Sequence, residues 1–445
     1  MKLNRKIPPA IREVTHLHLP RPRLLTLDNG LPLYALDFPG CEVVKVEAVF
    51  LAGRPEEEKQ LVSRAVSRLL RDGTSTKNGA DIAEHFDFYG ASFGAPTNLD
   101  MANFTLFSLR KYAADVIPLY AELLQDPIFP EHELDTFKRT SIQELLVDLE
   151  KVEVPAYRKL TELIFGENHP YGYNSTPESY NALLRDDLFA HYHKWYTCNN
   201  CKLFVTGHID DALLNLLNRH LGQWQKTGPV AIPMLPLSTA QPSRLDIPHP
   251  GSLQTAVKIG RHAFNRDHPD FTGLFVLNTI LGGYFGSRLM MNIREKKGYT
   301  YNIYSTLDAM LYDGCLYIAT EVSPGKAKAT EQLIFKEMQQ LRDEPVPEEE
   351  LAMVRNYLLG MLLNGLDGPM NIAELVRNQI VEKLPWEQFE AMVETIQTIT
   401  PAQLQTLAQR YLQPEDFWVV TVGGEKAKGR AKSKAIGPVQ STQIS

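Results

Sequence analysis

DLFAHYHKWYTCNNCKLFVTG, residues 187–207, returns without gaps as QLQTLAQRYLQPEDFWVVTVG at 403–423, 216 positions further on. Leu188 matches Leu404, Trp195 matches Tyr411, Asn200 matches Asp416 and Gly207 matches Gly423. Each copy reads as an amphipathic helix, a polar turn and a β-rich strand closed by Gly. Helix-start signals precede both, RDD in one and TPAQ in the other. Each copy ends a segment of roughly 200 residues, an ordinary domain size. A chain of 445 residues is too long for one core. We therefore read two copies of one domain.

The join between them is KTGPVAIPMLPLSTAQPSRLDIPHP, residues 226–250, rich in Pro and Ser and without helical period. The expected organisation is an N-terminal domain over 1–228, a linker over 229–250 and a C-terminal domain over 251–425. Residues 426–445, basic and polar, read as a disordered tail. Within the first copy PLYALDF and VVKVEAVFLAG are predicted strands, LVSRAVSRLLRDG and GADIAEHFDFYG helices, and ASFGAPT with ANFTLFSLR a hairpin. Further helices follow, then the final strand. That order predicts an α+β domain, a mostly antiparallel sheet covered by helices.

Hydrophobic residues make up 44% and charged residues 22%, the balance of a globular protein. The net charge of −7 gives no case for nucleic acid or an anionic membrane as partner. No run of about 18 apolar residues predicts a membrane span. The basic N-terminus lacks the apolar stretch of a secretory signal, so the expected location is the cytoplasm. Cys198 and Cys201 form a Cys-x-x-Cys, but the pair enters a strand, and Cys41 and Cys315 are single. We read the pair as small turn and strand residues, not as redox or zinc chemistry.

A second informative stretch is LGGYFGSRLMMNIREKKGYTY, residues 281–301. It reads as a buried apolar helix, a Gly-rich turn and a second helix ending at Gly298, followed by the strand-like run TYNIYS. Arg294 and Tyr301 stand seven residues apart across that corner. The glycines lack nucleotide-loop spacing, and no Lys-Ser/Thr follows them. This pattern closely resembles the C-terminal half of the insulinase-like (pitrilysin) zinc peptidases, and the resemblance extends over about residues 20–425. It implies two similar α+β domains facing each other like a clamshell. It also implies that Arg294 and Tyr301 hold the substrate backbone. A planar guanidinium suits carbonyl oxygens, and a phenol can donate to a developing oxyanion.

Members of that family that cut peptides carry His-x-x-Glu-His on a helix, whose i and i+4 imidazoles reach one metal. The motif is followed by a short apolar turn and Gly-Thr, here Gly73-Thr74. Counting back, the resemblance places the motif on Arg64-Ala65-Val66-Ser67-Arg68. Arg has no lone pair for a metal, and Ser67 cannot act as a carboxylate base. The distal acid of the family falls on Glu144, either a partner for Arg64 or Arg68 or a surface helix charge. Asp81-Ile82-Ala83-Glu84-His85 mimics the motif with Asp first, but lies on the next, non-metal helix of the family. His191 and His193, two apart on a helix, point to different faces and cannot share an ion. Pro96, in GAPT, removes an N–H from a strand that in the family offers its edge to substrate.

The resemblance thus implies a non-catalytic, substrate-binding subunit, with no metal or cofactor in this chain. A homologous His-x-x-Glu-His subunit would complete a heterodimer and hold the zinc, and peptides would be the substrate. Two other readings stay open: a peptide-binding or structural protein with no catalytic partner, and a self-sufficient metallopeptidase built on Asp81 and His85.

Overall fold

Two sheets organise the chain in the computed structural model, which describes residues 16–96, 98–224, 235 and 240–424. The first contains β1 (Arg23–Thr26), β2 (Pro32–Asp37), β3 (Val43–Phe50), β4 (Ser92–Gly94), β5 (Ala102–Leu109) and β6 (Cys201–Gly207). Their order across the sheet is β1-β2-β6-β3-β5-β4. The second contains β7 (Arg244–Ile247), β8 (Thr255–His262), β9 (Ile303–Ala309), β10 (Gly314–Val322) and β11 (Trp418–Val422), in the order β7-β11-β8-β10-β9. Among the described residues each sheet has one parallel pairing, β2 with β6 and β7 with β11, and the others are antiparallel.

The repeated segment occupies the same slot twice. β6 lies between β2 and β3, and β11 lies between β7 and β8, with the same parallel and antiparallel neighbours. The helices of the first half are α1 (Val62–Leu69), α2 (Gly79–Phe88), α3 (Ala113–Gln125), α4 (Glu131–Leu149), α5 (Glu153–Phe165), α6 (Pro177–Asn181), α7 (Arg185–Trp195) and α8 (Asp211–Leu221). Those of the second are α9 (Phe271–Asn278), α10 (Ala327–Asp343), α11 (Glu348–Gly365), α12 (Pro369–Val381), α13 (Gln388–Thr398) and α14 (Pro401–Tyr411). The fold is α+β, two helix-covered sheets, as the sequence predicts.

Strand β3 shows how the sheets are covered. Side chains alternate across a strand. Val44, Val46, Ala48 and Phe50 enter the core of the first half, while Val49 packs with Phe204 against Val381 of α12. The second sheet is treated reciprocally. Val257 and Ile259 of β8 face their own helices, and Ala256 packs against α5 through Ala156, Leu160 and Ile164. Each sheet thus borrows a helix from the other half, which ties the halves together through apolar burial. Gly260 of β8 makes this approach possible. A Cβ there would stand 2.9 Å from Tyr317 Cβ and 3.0 Å from Leu160 Cδ2.

Two features differ from the sequence expectation. Arg244–Ile247, inside the stretch read as linker, is a strand, because its extended backbone pairs in parallel with β11. Thr421 Oγ1 donates to Asp246 beside it. The apolar helix before the Gly-rich corner does not stop where its α-helical period ends. It continues from α9 as a π-helical turn over Thr279–Gly283, and a second π-helical stretch spans Met290–Glu295. The stretch read as a tail, 426–445, lies outside the described residues.

Candidate functional site

α1 begins after Leu61, a buried residue with φ 72°, in the left-handed region that leucine rarely occupies. Tyr173 donates its hydroxyl hydrogen to Glu57, and Leu61 N–H donates to the same hydroxyl oxygen at 3.3 Å. Glu57 also accepts from Ser63 N–H at 3.0 Å, satisfying a donor in the first turn. The helix then carries Arg64, Ser67 and Arg68 on one face, as i, i+3 and i+4 spacing requires. That face lines a cavity of about 380 Å³, whose other wall is α4 with Thr140 and Glu144. The four positions picked out in the sequence are therefore brought together. Gly53, also in the lining, lets two backbone segments meet, since a Cβ there would stand 2.2 Å from Leu99 O.

The partners of these side chains show what the cavity can do. Arg64 Nη1 donates to the hydroxyl of buried Tyr180 at 3.2 Å. Ser67 Oγ and the hydroxyl of buried Tyr196 are 3.2 Å apart. Burial pushes the Asp72 carboxyl up, and the nearby Arg68 charge pulls it down. Among the described residues neither Arg64 nor Arg68 forms an ion pair, and Glu144 pairs with neither. Tyr180 and Tyr196 carry no motif that sequence reasoning could have used.

A catalytic zinc needs about three protein donors. Of Arg64, Ser67, Arg68 and Glu144, only Glu144 offers a carboxylate, and two guanidiniums line the same space. The residues do not fit the ion. Among the described residues no group of three or more His, Cys, Asp or Glu could hold a metal. Asp81 and His85 lie on α2 and are not among the residues lining that cavity. The Asp81 backbone N–H is capped by Asn78 Oδ1 at 3.0 Å, and His85 Nε2 lies 3.0 Å from Asp115 O. His191 is buried with Nε2 3.2 Å from Ala52 O, and burial pushes its imidazole down to about 4. His193 is exposed and stacks on Phe189. Cys198 and Cys201 are buried at the start of β6, and burial pushes the Cys201 thiol up.

Arg294 and Tyr301 lie elsewhere. The Arg294 guanidinium sits 4.9 Å from the Phe285 ring centroid and pairs with Glu295 at 3.2 Å. Tyr301 precedes β9 and is 89% exposed, at the rim of a shallow depression with Lys258, Tyr304 and Glu321. Neither residue is among those lining the cavity of Arg64 and Arg68. β4, the edge strand beside the first cavity, ends at Gly94, before Pro96.

A buried cluster joining the halves escaped the sequence reading. Glu47 of β3 pairs with Lys45 at 3.0 Å and with Arg377 of α12 at 2.6 Å. Burial pushes its carboxyl up, but Arg377 and Lys45 outweigh this and hold it below the usual range. Nearby, Asp100 accepts from Tyr171 and from Leu311 N–H at 2.9 Å, and Tyr312 donates to Glu56 at 3.4 Å. Burial raises Glu56 to about 7, with the Gly53 N–H opposing and Asp100 adding to the rise. The one local signal is the pair of charges, Lys45 and Glu47, two apart in the predicted strand VVKVEAVFLAG.

Comparison with known proteins bears on the family and the fold. Residues 182–358 match the family described as the peptidase M16 inactive domain. A Bacillus subtilis (strain 168) protein named "uncharacterized zinc protease YmxG" is 24% identical over 347 residues, 77% of this chain and 84% of its own. A Helicobacter pylori protein named "non-peptidase homolog YmxG" is 22% identical over 381 residues, 84% and 87% of the two chains. The crystal structure of a peptidase M16 inactive domain from Pseudomonas fluorescens superposes with a TM-score of 0.82 at 22% identity. It covers 92% of this chain and 100% of its own. The chain is thus similar to M16-type, insulinase-like peptidase homologues of the inactive kind, by family model over residues 182–358 and by fold over most of its length. Among the described residues no helix is long and apolar enough to cross a membrane.

Proposed function

We propose that this chain is the non-catalytic, substrate-binding subunit of a heteromeric zinc peptidase. Its partner would be a homologous subunit carrying His-x-x-Glu-His, and the zinc of that subunit would supply the activated water for peptide hydrolysis. The observation that carries this reading is the cavity on α1. Its wall carries Arg64, Ser67 and Arg68 at the positions where the resemblance would place the metal donors. We assign the grip on the substrate chain to Arg294 and Tyr301. In support, Tyr301 presents its phenol to solvent, and Arg294 is held over Phe285 at the Gly-rich corner.

The test is co-expression with a His-x-x-Glu-His homologue from the same host. Peptidase activity and zinc content are then measured for each chain alone and for the pair. The expected result is a metal-free, inert chain and an active pair, with Arg294→Ala or Tyr301→Phe lowering activity about tenfold or more. Stoichiometric zinc and cleavage by the single chain would overturn the reading. One observation favours a second reading, a peptide-binding protein without catalytic partner: the Helicobacter relative is named a non-peptidase homolog. A pair that cuts nothing while this chain alone binds peptides would select it.

A further inference from the structure

We propose that the cavity between α1 and α4, where relatives of the zinc-binding kind need cation ligands, is a binding site for a carboxylate of the peptide. The inference deepens the reading above and rests on it for the identity of the ligand. Arg64 and Arg68 stand one turn apart on the same wall, both exposed, and among the described residues neither meets a carboxylate within ion-pair distance. Like charges at i and i+4 destabilise a helix, so an anion between them removes a repulsion as well as adding attraction. Asp72, Glu133 and Glu144 also line the cavity, and none of them neutralises the pair by contact. Arginine is suited to this task because its planar guanidinium grips a carboxylate through two parallel hydrogen bonds.

The surroundings favour a carboxylate attached to a carbon chain over a bare inorganic ion. Tyr180 fixes the Arg64 guanidinium, which lowers the freedom lost on binding. Asn98, in the lining, accepts through Oδ1 from the Asp100 and Met101 amides, and among the described residues its NH₂ group has no acceptor, so it can serve a ligand oxygen. Met101 and Phe137 add apolar wall for methylene groups. A space of about 380 Å³ admits a side chain and its neighbours, not a folded protein. The carboxylate can come from an acidic side chain or from the chain terminus, and the two share the same chemistry.

The experiment measures binding of short fluorescent peptides to the full chain by anisotropy. One pair of peptides differs by Glu against Gln, another by a free C-terminal carboxylate against an amide. The expected result is about tenfold tighter binding for the acid in at least one pair, and the pair that shows it identifies the source. Arg64→Gln with Arg68→Gln should reduce that preference to about twofold or less. Arg64→Lys with Arg68→Lys should restore part of it, because charge is kept and the fork lost. Equal binding of acid and neutral peptides would overturn the carboxylate site and leave peptide binding standing. If no peptide binds, the thermal midpoint is compared in glutarate and in glutaramide. Stabilisation by glutarate alone, lost in the double Gln variant, would uphold the site while the peptide reading falls. No difference between the two additives would overturn both.

Discussion

Replacing Glu47 by Gln should be among the most damaging conservative changes in the molecule. The carboxylate is 1% exposed and lies between two cations, Lys45 at 3.0 Å and Arg377 at 2.6 Å. Gln keeps the shape and can still accept from Asn103, which now bonds Glu47. It removes the anion that pairs with both cations, and Lys45, itself 3% exposed, is left buried beside a second positive charge. Two contacts to a charged group at about 1.5–3 kcal/mol each give a loss of about 3–6 kcal/mol. Breaking a buried pair by removing one partner costs about 3–5 kcal/mol, which agrees. Urea unfolding followed by tryptophan fluorescence reads the effect in both halves, since Trp195 and Trp224 lie in the first and Trp386 and Trp418 in the second. With a slope of about 3 kcal/mol per molar, the midpoint should fall by about 1 M or more. Lys45→Met with Glu47→Leu and Arg377→Met should be milder than Glu47→Gln alone, because no orphan charge remains. A Glu47→Gln variant within about 0.5 kcal/mol of wild type, or a triple variant worse than the single one, would refute the assignment of this cluster as a tie between the halves.

Glu56 predicts a pH dependence of stability, its carboxyl being raised where that of Glu47 is lowered. Its folded value, about 7, lies above the ordinary carboxylate value of 4.5, so the folded state holds the proton longer. Its stabilising effect is complete below about pH 4.5 and is lost as pH rises to 7, at most about 3 kcal/mol in all. Glu56→Gln should flatten unfolding free energy against pH across that window, and an unchanged slope would count against it. Gly260→Val should cost about 1–3 kcal/mol by forcing α5 from the second sheet, read as lower urea resistance. A neutral result would mean the contact yields without strain. Cys201 should resist alkylation in the folded protein at pH 8 and react once it is unfolded, because burial raises its thiol. Rapid native labelling would reopen the redox reading of Cys-x-x-Cys.

What the sequence revealed and what it hid follow from the range of the forces involved. The duplicated segment was legible because helix period, turn and strand alternation are local patterns, and both copies fill the same slot between a parallel and an antiparallel neighbour. The convergence of Arg64, Ser67, Arg68 and Glu144 was legible in part. Helical spacing puts three on one face, while the arrival of α4 opposite them rests on the resemblance and on tertiary packing. Lys45 and Glu47 were different. An alternating strand with charges on one face normally presents that face to water. Here the face is buried because α12, more than 300 residues away in sequence, supplies Arg377 to it. The same long-range exchange places α5 on the second sheet, which no pattern within Glu153–Phe165 announces. An exchange of helices of this kind makes each half's second sheet face depend on the other. The cavity beside α1 therefore sits in a frame that opposes its collapse. That is why the cavity of Arg64 and Arg68 is a place to look for a ligand.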